Sequence, residues 1–375
     1  MVTTAGMHLQ KSPRLGDIMA PEDNSFGVMR LLMASLVLIS HSYMYTFGTT
    51  LAEPLTTWTG HSLGEHAVQG FFILSGILVA QSFERSRSLF DFAAARVLRI
   101  FPGLIVCVLL TALLLGPLVS QLAPEQYFSS PVLFAYIAKT LSLSTGSAPL
   151  PGVFTDVPMA GSVNSSLWTL KYEVLCYVGL ALAGTAGLFA AKYRGVVTIA
   201  LAAFLVVIFA GDPEPIENYT FTDNVRYFAL YFGTGTLIYL VRDRLVITAL
   251  ALLPLAALFV FAQGTRFAEL TTALLIGYAI VWAASHRFGP LRAWCNRIDL
   301  SFGVYIYAGP IQQALIDAAP ALPPIANTAI AFALVLPLAL LSWVLIEHPA
   351  LSLRAVLRRK LQYRASAATL TIVPR

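Results

Sequence analysis

Residues 26–47 read FGVMRLLMASLVLISHSYMYTF, an unbroken apolar run apart from Arg30 and His41 and a few small polar residues. About 20 such residues span the roughly 30 Å of a bilayer's hydrocarbon core, so the run predicts a transmembrane helix. Arg30 and His41 are eleven positions apart. At about 100° per residue they fall about 20° past three full turns, on one face and about 16 Å apart along the axis. An ionisable side chain inside a membrane helix costs roughly 2.5–3.5 kcal/mol and marks a functional site by default. Two on one face predict a polar channel with a cation near one end and a titratable base deeper in.

The rest of the 375-residue chain fits that reading. It is 57% hydrophobic and 11% charged, with a mean hydropathy of +0.74. Soluble domains carry about 25% charged residues, so this chain's solvent is the lipid bilayer. The net charge of +5 belongs with cytoplasmic loops of a membrane protein. No basic stretch interleaved with aromatics points to nucleic acid. Cys107, Cys176 and Cys295 are far apart in sequence and show neither a disulfide framework nor a zinc spacing. Residues 1–20, with Lys11 and Arg14, contain no signal-peptide pattern and read as a short cytoplasmic tail.

Apolar segments at 26–47, 66–83, 100–120, 166–189, 195–210, 225–241, 245–262, 268–285, 300–318 and 326–346 predict an all-α polytopic protein with about ten transmembrane helices. Loops alternate in charge. Arg85, Arg87, Arg96 and Arg99 follow the second segment, Lys192 and Arg194 the fourth, Arg242 and Arg244 the sixth. Arg287, Arg292 and Arg297 follow the eighth, and Arg354, Arg358, Arg359, Lys360 and Arg364 the tenth. The opposite loops are nearly free of Lys and Arg, and 211–224 is acidic through Asp212, Glu214, Glu217 and Asp223. Positive charge marks the inner side, so both termini are placed in the cytoplasm. The organisation is then a tail at 1–20, a transmembrane domain at 21–350 and a basic cytoplasmic tail at 351–375. The outer loop 121–165 exceeds the about 12–15 residues of ordinary connections, and such loops are usually functional or disordered.

Two residues stand at matched depths. His41 is about 9 Å from the outer end of its segment, and Glu173, about seven residues into the fourth, is about 10 Å deep. A histidine and a carboxylate at one level suit a base oriented by an acid. The alternative is a structural polar pair between helices. Arg30, Arg96 and Arg99 gather at one mouth, where guanidinium forks would grip the phosphates of an anionic ligand. Simple positive-inside placement is the competing explanation. Ser75-Gly76 in an aromatic run suits close helix packing. Trp168, Tyr172, Tyr177 and Tyr305 are candidates to line a sugar site or to belong to an interfacial belt. His61 and His66 read as surface histidines, and His348, after Glu347, as a local cap.

The same residues resemble the acyltransferase-3 family of integral membrane O-acyltransferases. The resemblance is carried by Arg30 and His41 with ten residues between them, and by Gly70-Phe71-Phe72-Ile73-Leu74-Ser75-Gly76. It continues in Arg96-Val97-Leu98-Arg99-Ile100-Phe101-Pro102 and in Asn164-Ser165-Ser166-Leu167-Trp168-Thr169-Leu170-Lys171-Tyr172-Glu173. Ser301-Phe302-Gly303-Val304-Tyr305-Ile306-Tyr307 and Ile346-Glu347-His348-Pro349 close the pattern. It spans about 20–350. One departure is Ala308, near where many members carry a histidine.

The resemblance implies a multi-pass inner-membrane enzyme that takes an acyl group, typically acetyl, from cytoplasmic acetyl-CoA. The acceptor would be a hydroxyl of a cell-surface glycan or lipid-linked saccharide. The short form resembles exopolysaccharide O-acetylases. His41 and Glu173 would be catalytic, Arg30, Arg96 and Arg99 would hold CoA, and Ser75, Trp168, Tyr172 and Tyr305 would contact substrate. No metal is expected, because thioester cleavage needs none. The rival from another class is an exporter of a glycan or small solute, whose intramembrane polar residues would form a transport path.

Overall fold

A computed structural model describes residues 12–145, 148–209 and 220–356. The acidic residues Asp212, Glu214 and Glu217, and the basic tail from Arg358 onward, lie outside the described residues. Among the described residues the structure is helical, and the one β-type contact is an isolated bridge between Arg14 and Val246. The long helices are α1 (Phe26–Phe47), α2 (Leu63–Arg85), α3 (Leu89–Val119, with π-type turns at Thr111–Leu115), α4 (Leu170–Thr185) and α5 (Arg194–Phe209). They continue as α6 (Phe221–Leu240), α7 (Leu252–Ala262), α8 (Ala268–Ala284), α9 (Ser301–Ala318) and α10 (Pro324–Val356).

Each apolar segment of the sequence falls on one of these helices. Five stretches are long and apolar enough to cross a membrane: α1, α2, α3, α10 and Ala191–Ile208 on α5. The others are shorter or, like α6 with 20 residues and α9 with 18, less apolar along their length. The 16 residues of α4 reach about 24 Å at 1.5 Å per residue, and its first turn is preceded by a 3₁₀ segment, Ser165–Thr169, which adds length. Proline enters α3, α9 and α10 at Pro102, Pro310 and Pro337 without ending them, as neighbours in a membrane bundle allow.

Small residues set the closest approach. A Cβ on Gly76 of α2 would lie 2.1 Å from the Phe232 carbonyl oxygen of α6, and one on Gly235 would lie 1.9 Å from that of Ile73. The two backbones touch, as at the small-residue interfaces of membrane helices. Gly303 likewise brings α9 onto Ala339 of α10.

The two ends of the bundle are polar and held differently. At one end Arg194 and Arg242 reach Glu84 at 3.5 and 3.1 Å, Tyr239 donates to Glu84, and Arg354 pairs with Asp91 at 2.9 Å. Residues that follow the second, fourth, sixth and tenth segments therefore share one end, as the charge alternation requires. Residues 13–16 dock there through backbone bonds to Arg242, Leu245 and Ile247, and Leu15 is fully buried.

At the other end Glu53 accepts from Ser40 and from the Leu63 backbone. The connection 121–165 begins with short helices at Pro124–Ser129 and Pro131–Leu141. Its last part enters the bundle: Gln313 donates to the Met159 and Ser162 carbonyls at 2.9 and 2.7 Å, and Asn164 to that of Ile306 at 2.8 Å.

Candidate active site

Three guanidiniums converge between α1, α3 and the start of α9. Arg96 and Arg99 are three apart on α3, neighbours on one helix face, and Arg30 comes from the second turn of α1. All three line one cavity with Ser75, Glu173 and Tyr305. Arg30 Nη2 and Arg99 Nη2 approach the same oxygen, Asp299 Oδ2, at 3.1 and 2.8 Å. The other oxygen of Asp299 accepts from the Ser301 backbone N–H at 3.2 Å and hydroxyl at 2.6 Å. An aspartate two residues before the first helical turn is held this way because its short side chain satisfies donors that the helix leaves open.

Arg99 also lies 3.9 Å from Glu347, whose other oxygen accepts from Ser342 at 2.9 Å. Glu347 belongs to a second π-type turn, Trp343–Glu347. Arg96 differs from its two neighbours. It donates to Ser82 at 3.2 Å and stacks on Tyr177 and Phe92 at 5.6 and 6.0 Å. No carboxylate among the described residues stands within ion-pair distance of it.

Glu173 sits on the cavity wall, accepting from Tyr177 and, at 3.4 Å, from Ser75. Tyr305 joins Thr169 hydroxyl to hydroxyl at 2.7 Å and packs edge-on to Phe71. His41 is elsewhere. Its Nδ1 lies 3.4 Å from Ser166 Oγ, and its ring meets Tyr45 edge-on at 5.7 Å. The Tyr45 hydroxyl in turn accepts from the Ser165 backbone.

The His41–Glu173 pair expected from matched depths does not form. That expectation counts depth from Ser166 as though the residue lay at the membrane surface. Instead the chain has already entered the helix bundle: Asn164 and Ser166 are buried within the protein, and Ser166 itself stands at His41. From there the 3₁₀ segment at about 2 Å per residue and a turn of α-helix at 1.5 Å per residue carry Glu173 about 12 Å further along, toward the arginines.

Two other candidates also lie off the cavity. Trp168 packs against Tyr172 and Phe228, at 5.8 and 5.4 Å, and Tyr172 lies 5.0 Å from Phe228. They form an aromatic cluster between α4 and α6, with Lys171 Nζ over Tyr172 at 4.8 Å. The parts played by Asp299, Ser301 and Ser166 do not emerge from the sequence. The signal for Asp299 was an Asp-Leu-Ser stretch directly before an apolar segment, a helix-start pattern. His348, expected as a local cap, packs on Trp343 with ring centroids 5.6 Å apart, and Glu347 before it reaches Arg99.

His61 is not a plain surface residue. Its Nε2 is 2.6 Å from Glu269 at the start of α8, and Tyr231 donates to the same carboxylate. Burial alone would push His61 down, but the hydrogen bond and charge of Glu269, with Glu65 beside them, hold it above its ordinary value. His66 continues the network through Gln69 at 2.8 Å, and Gln69 donates to Tyr227 at 2.7 Å.

Against known proteins, a family profile described as "Acyltransferase domain" matches residues 23–347. An "O-acetyl transferase" of Shigella phage Sf6 is 31% identical over 79% of this chain and 86% of its own length. A "Nodulation protein 10" of Rhizobium leguminosarum bv. viciae is 28% identical over 89% of this chain and 95% of its own. No solved structure matches significantly.

Proposed function

This chain belongs to the family of the acyltransferase domain, and on that premise we propose that it is a membrane O-acyltransferase drawing on cytoplasmic acyl-CoA. The group moved is acetyl, in keeping with the name of the phage relative, and the acceptor is a hydroxyl of a cell-surface glycan or lipid-linked saccharide. The protein crosses the inner membrane ten times with both termini in the cytoplasm. Its transmembrane domain covers 21–350 between two tails.

The observation that supports this reading most is the placement of Arg30 and His41 on one face of α1. Arg30 shares a cavity with Arg96 and Arg99, while His41 stands about 16 Å away along the helix axis, beside Ser166. The arginines take the phosphates of CoA at the cytoplasmic mouth, and the pantetheine arm runs along the α1 face toward His41. Ser166 at Nδ1 fixes the imidazole so that Nε2 faces the acceptor. The acceptor hydroxyl attacks the thioester carbonyl as His41 takes its proton. The C–S bond breaks, and the departing thiolate takes that proton back from the imidazolium, leaving an ester and free CoA.

Glu173 holds the Ser75 and Tyr177 hydroxyls toward the cavity rather than orienting His41. Ser75 and Tyr305 contact the donor arm, and Trp168 and Tyr172 form the wall behind them. The test is mass spectrometry of surface glycans from cells carrying wild-type protein or His41→Ala, with membrane insertion verified for both. Loss of the acyl modification in the variant supports the proposal. An unchanged acyl content sinks it.

A further inference from the structure

The cavity's three arginines are not equivalent. Arg30 and Arg99 spend their charge on one oxygen of Asp299, at 3.1 and 2.8 Å, and Arg99 has Glu347 as a second partner. Asp299 is itself fixed, since both donors of Ser301 hold its remaining oxygen and its side chain is 10% exposed. It therefore cannot swing away to make room for an incoming anion without breaking two more hydrogen bonds.

Arg96 carries no such partner among the described residues. Its one hydrogen bond goes to a neutral hydroxyl, on Ser82. Its Nε is buried without a hydrogen-bond partner, as is that of Arg30, so what sets Arg96 apart is the lack of a carboxylate: its guanidinium instead lies over the Tyr177 and Phe92 rings, 5.6 and 6.0 Å from their centroids. A buried donor left unsatisfied is costly, and an ionised acceptor supplied by a ligand would relieve it. The guanidinium fork suits a phosphate oxygen pair.

We propose that Asp299 is a positioning residue that braces Arg30 and Arg99 as a fixed pair, and that Arg96 is the side chain that takes the donor's phosphate directly. This rests on the reading of the cavity as the acyl-CoA site. It assigns distinct tasks to three residues that the sequence presents alike. Without the brace the two guanidiniums repel each other and splay, and the site loses its shape toward the donor. Without Arg96 the site keeps its shape but loses its grip.

The experiment uses the full chain in detergent, CoA as the titrant, and acetyl-CoA with saccharide acceptor for kinetics. Arg96→Ala is expected to weaken CoA binding by about tenfold or more, the loss of a charge-assisted hydrogen bond, with an unchanged unfolding midpoint. Asp299→Asn keeps the side-chain shape and the Ser301 contacts. It is expected to lower the unfolding midpoint and raise the KM for acetyl-CoA, while the KM for acceptor stays put. Adding Arg30→Gln to Asp299→Asn removes the second charge and should restore the midpoint, a recovery that a general packing defect would not show.

If Asp299→Asn instead tightens CoA binding, Asp299 competes with the donor and the brace is wrong. If Arg30→Ala and Arg99→Ala weaken binding without loss of stability while Arg96→Ala does nothing, the division of tasks is wrong. If no variant of the three arginines alters CoA binding, the cavity is not the donor site, and the underlying reading fails rather than this one alone.

Discussion

Ser166 stands against His41, with Oγ 3.4 Å from Nδ1, and no carboxylate among the described residues shares the imidazole. In the proposed mechanism His41 takes the acceptor's proton with only a hydroxyl for support, without the charged brace that a nearby acid would add. Replacing His41 by Ala should reduce acyl transfer by about 10²–10⁴-fold, the usual contribution of a positioned base. Ser166→Ala, which removes one long neutral hydrogen bond, should cost no more than about tenfold in kcat. Single-turnover transfer to a soluble saccharide acceptor measures both. Equal losses for the two variants would show that Ser166 does more than aim the ring.

Glu173 is bonded to Tyr177 and Ser75, not to the histidine. Glu173→Gln should therefore lower kcat/KM for acetyl-CoA while leaving the pH dependence of transfer unmoved. Tyr177→Phe should reproduce its effect on KM. A shifted pH profile for Glu173→Gln would restore the acid–base pair that the sequence suggested.

The backbone contact between α2 and α6 leaves no room for a side chain. Gly76→Ala and Gly235→Ala each place a methyl within about 2 Å of a carbonyl oxygen. The helices must part, at a cost in the upper part of the ~1–3 kcal/mol typical of overpacking or above it. Thermal unfolding in detergent should show both variants well below wild type. Gly60→Ala, on the loop before α2, meets nothing within 4 Å, but its φ of +76° makes that change mildly strained. A midpoint near wild type for Gly76→Ala would mean the two helices are not in contact.

His61 links stability to pH. Its value in the folded protein is raised above the ordinary one, mainly by Glu269 working against burial. The stabilisation is fully present below the unfolded value of about 6.5 and is lost as pH rises through the raised folded value. Unfolding midpoints should fall as pH rises above about 6.5, and the fall should be flatter in His61→Gln. A midpoint equally pH-dependent in the variant would remove the pair from the explanation.

Much of the fold was legible because hydropathy is a local property. The ten apolar segments and the alternating loop charges each reappear as helices and as a shared end, with Glu84, Arg194 and Arg242 meeting. The convergence of Arg30, Arg96 and Arg99 was legible too, since helical spacing and side of the membrane place them together. What could not be read was depth on α4. Whether Ser166 lies at the surface or already inside depends on how far the preceding loop descends. That depends on Gln313 of α9 catching the Met159 carbonyl of the loop and on Asn164 of the loop donating to the Ile306 carbonyl of α9. Asp299 was invisible for a related reason. It is distant in sequence from both arginines, and only packing of α9 between α1 and α3 brings it to them.

The wide turn at Trp343–Glu347 sets the rotational phase of the last helix. A π-type turn accommodates one residue more than an ordinary α turn, and each residue advances a helix by about 100°. Regular winding through 343–347 would swing the remainder of α10 by about that angle and carry Arg354 away from Asp91. The bulge absorbs the surplus residue instead. It works as a rotary spacer, letting one continuous rod serve Arg99 at the cavity and Asp91 at the bundle's end.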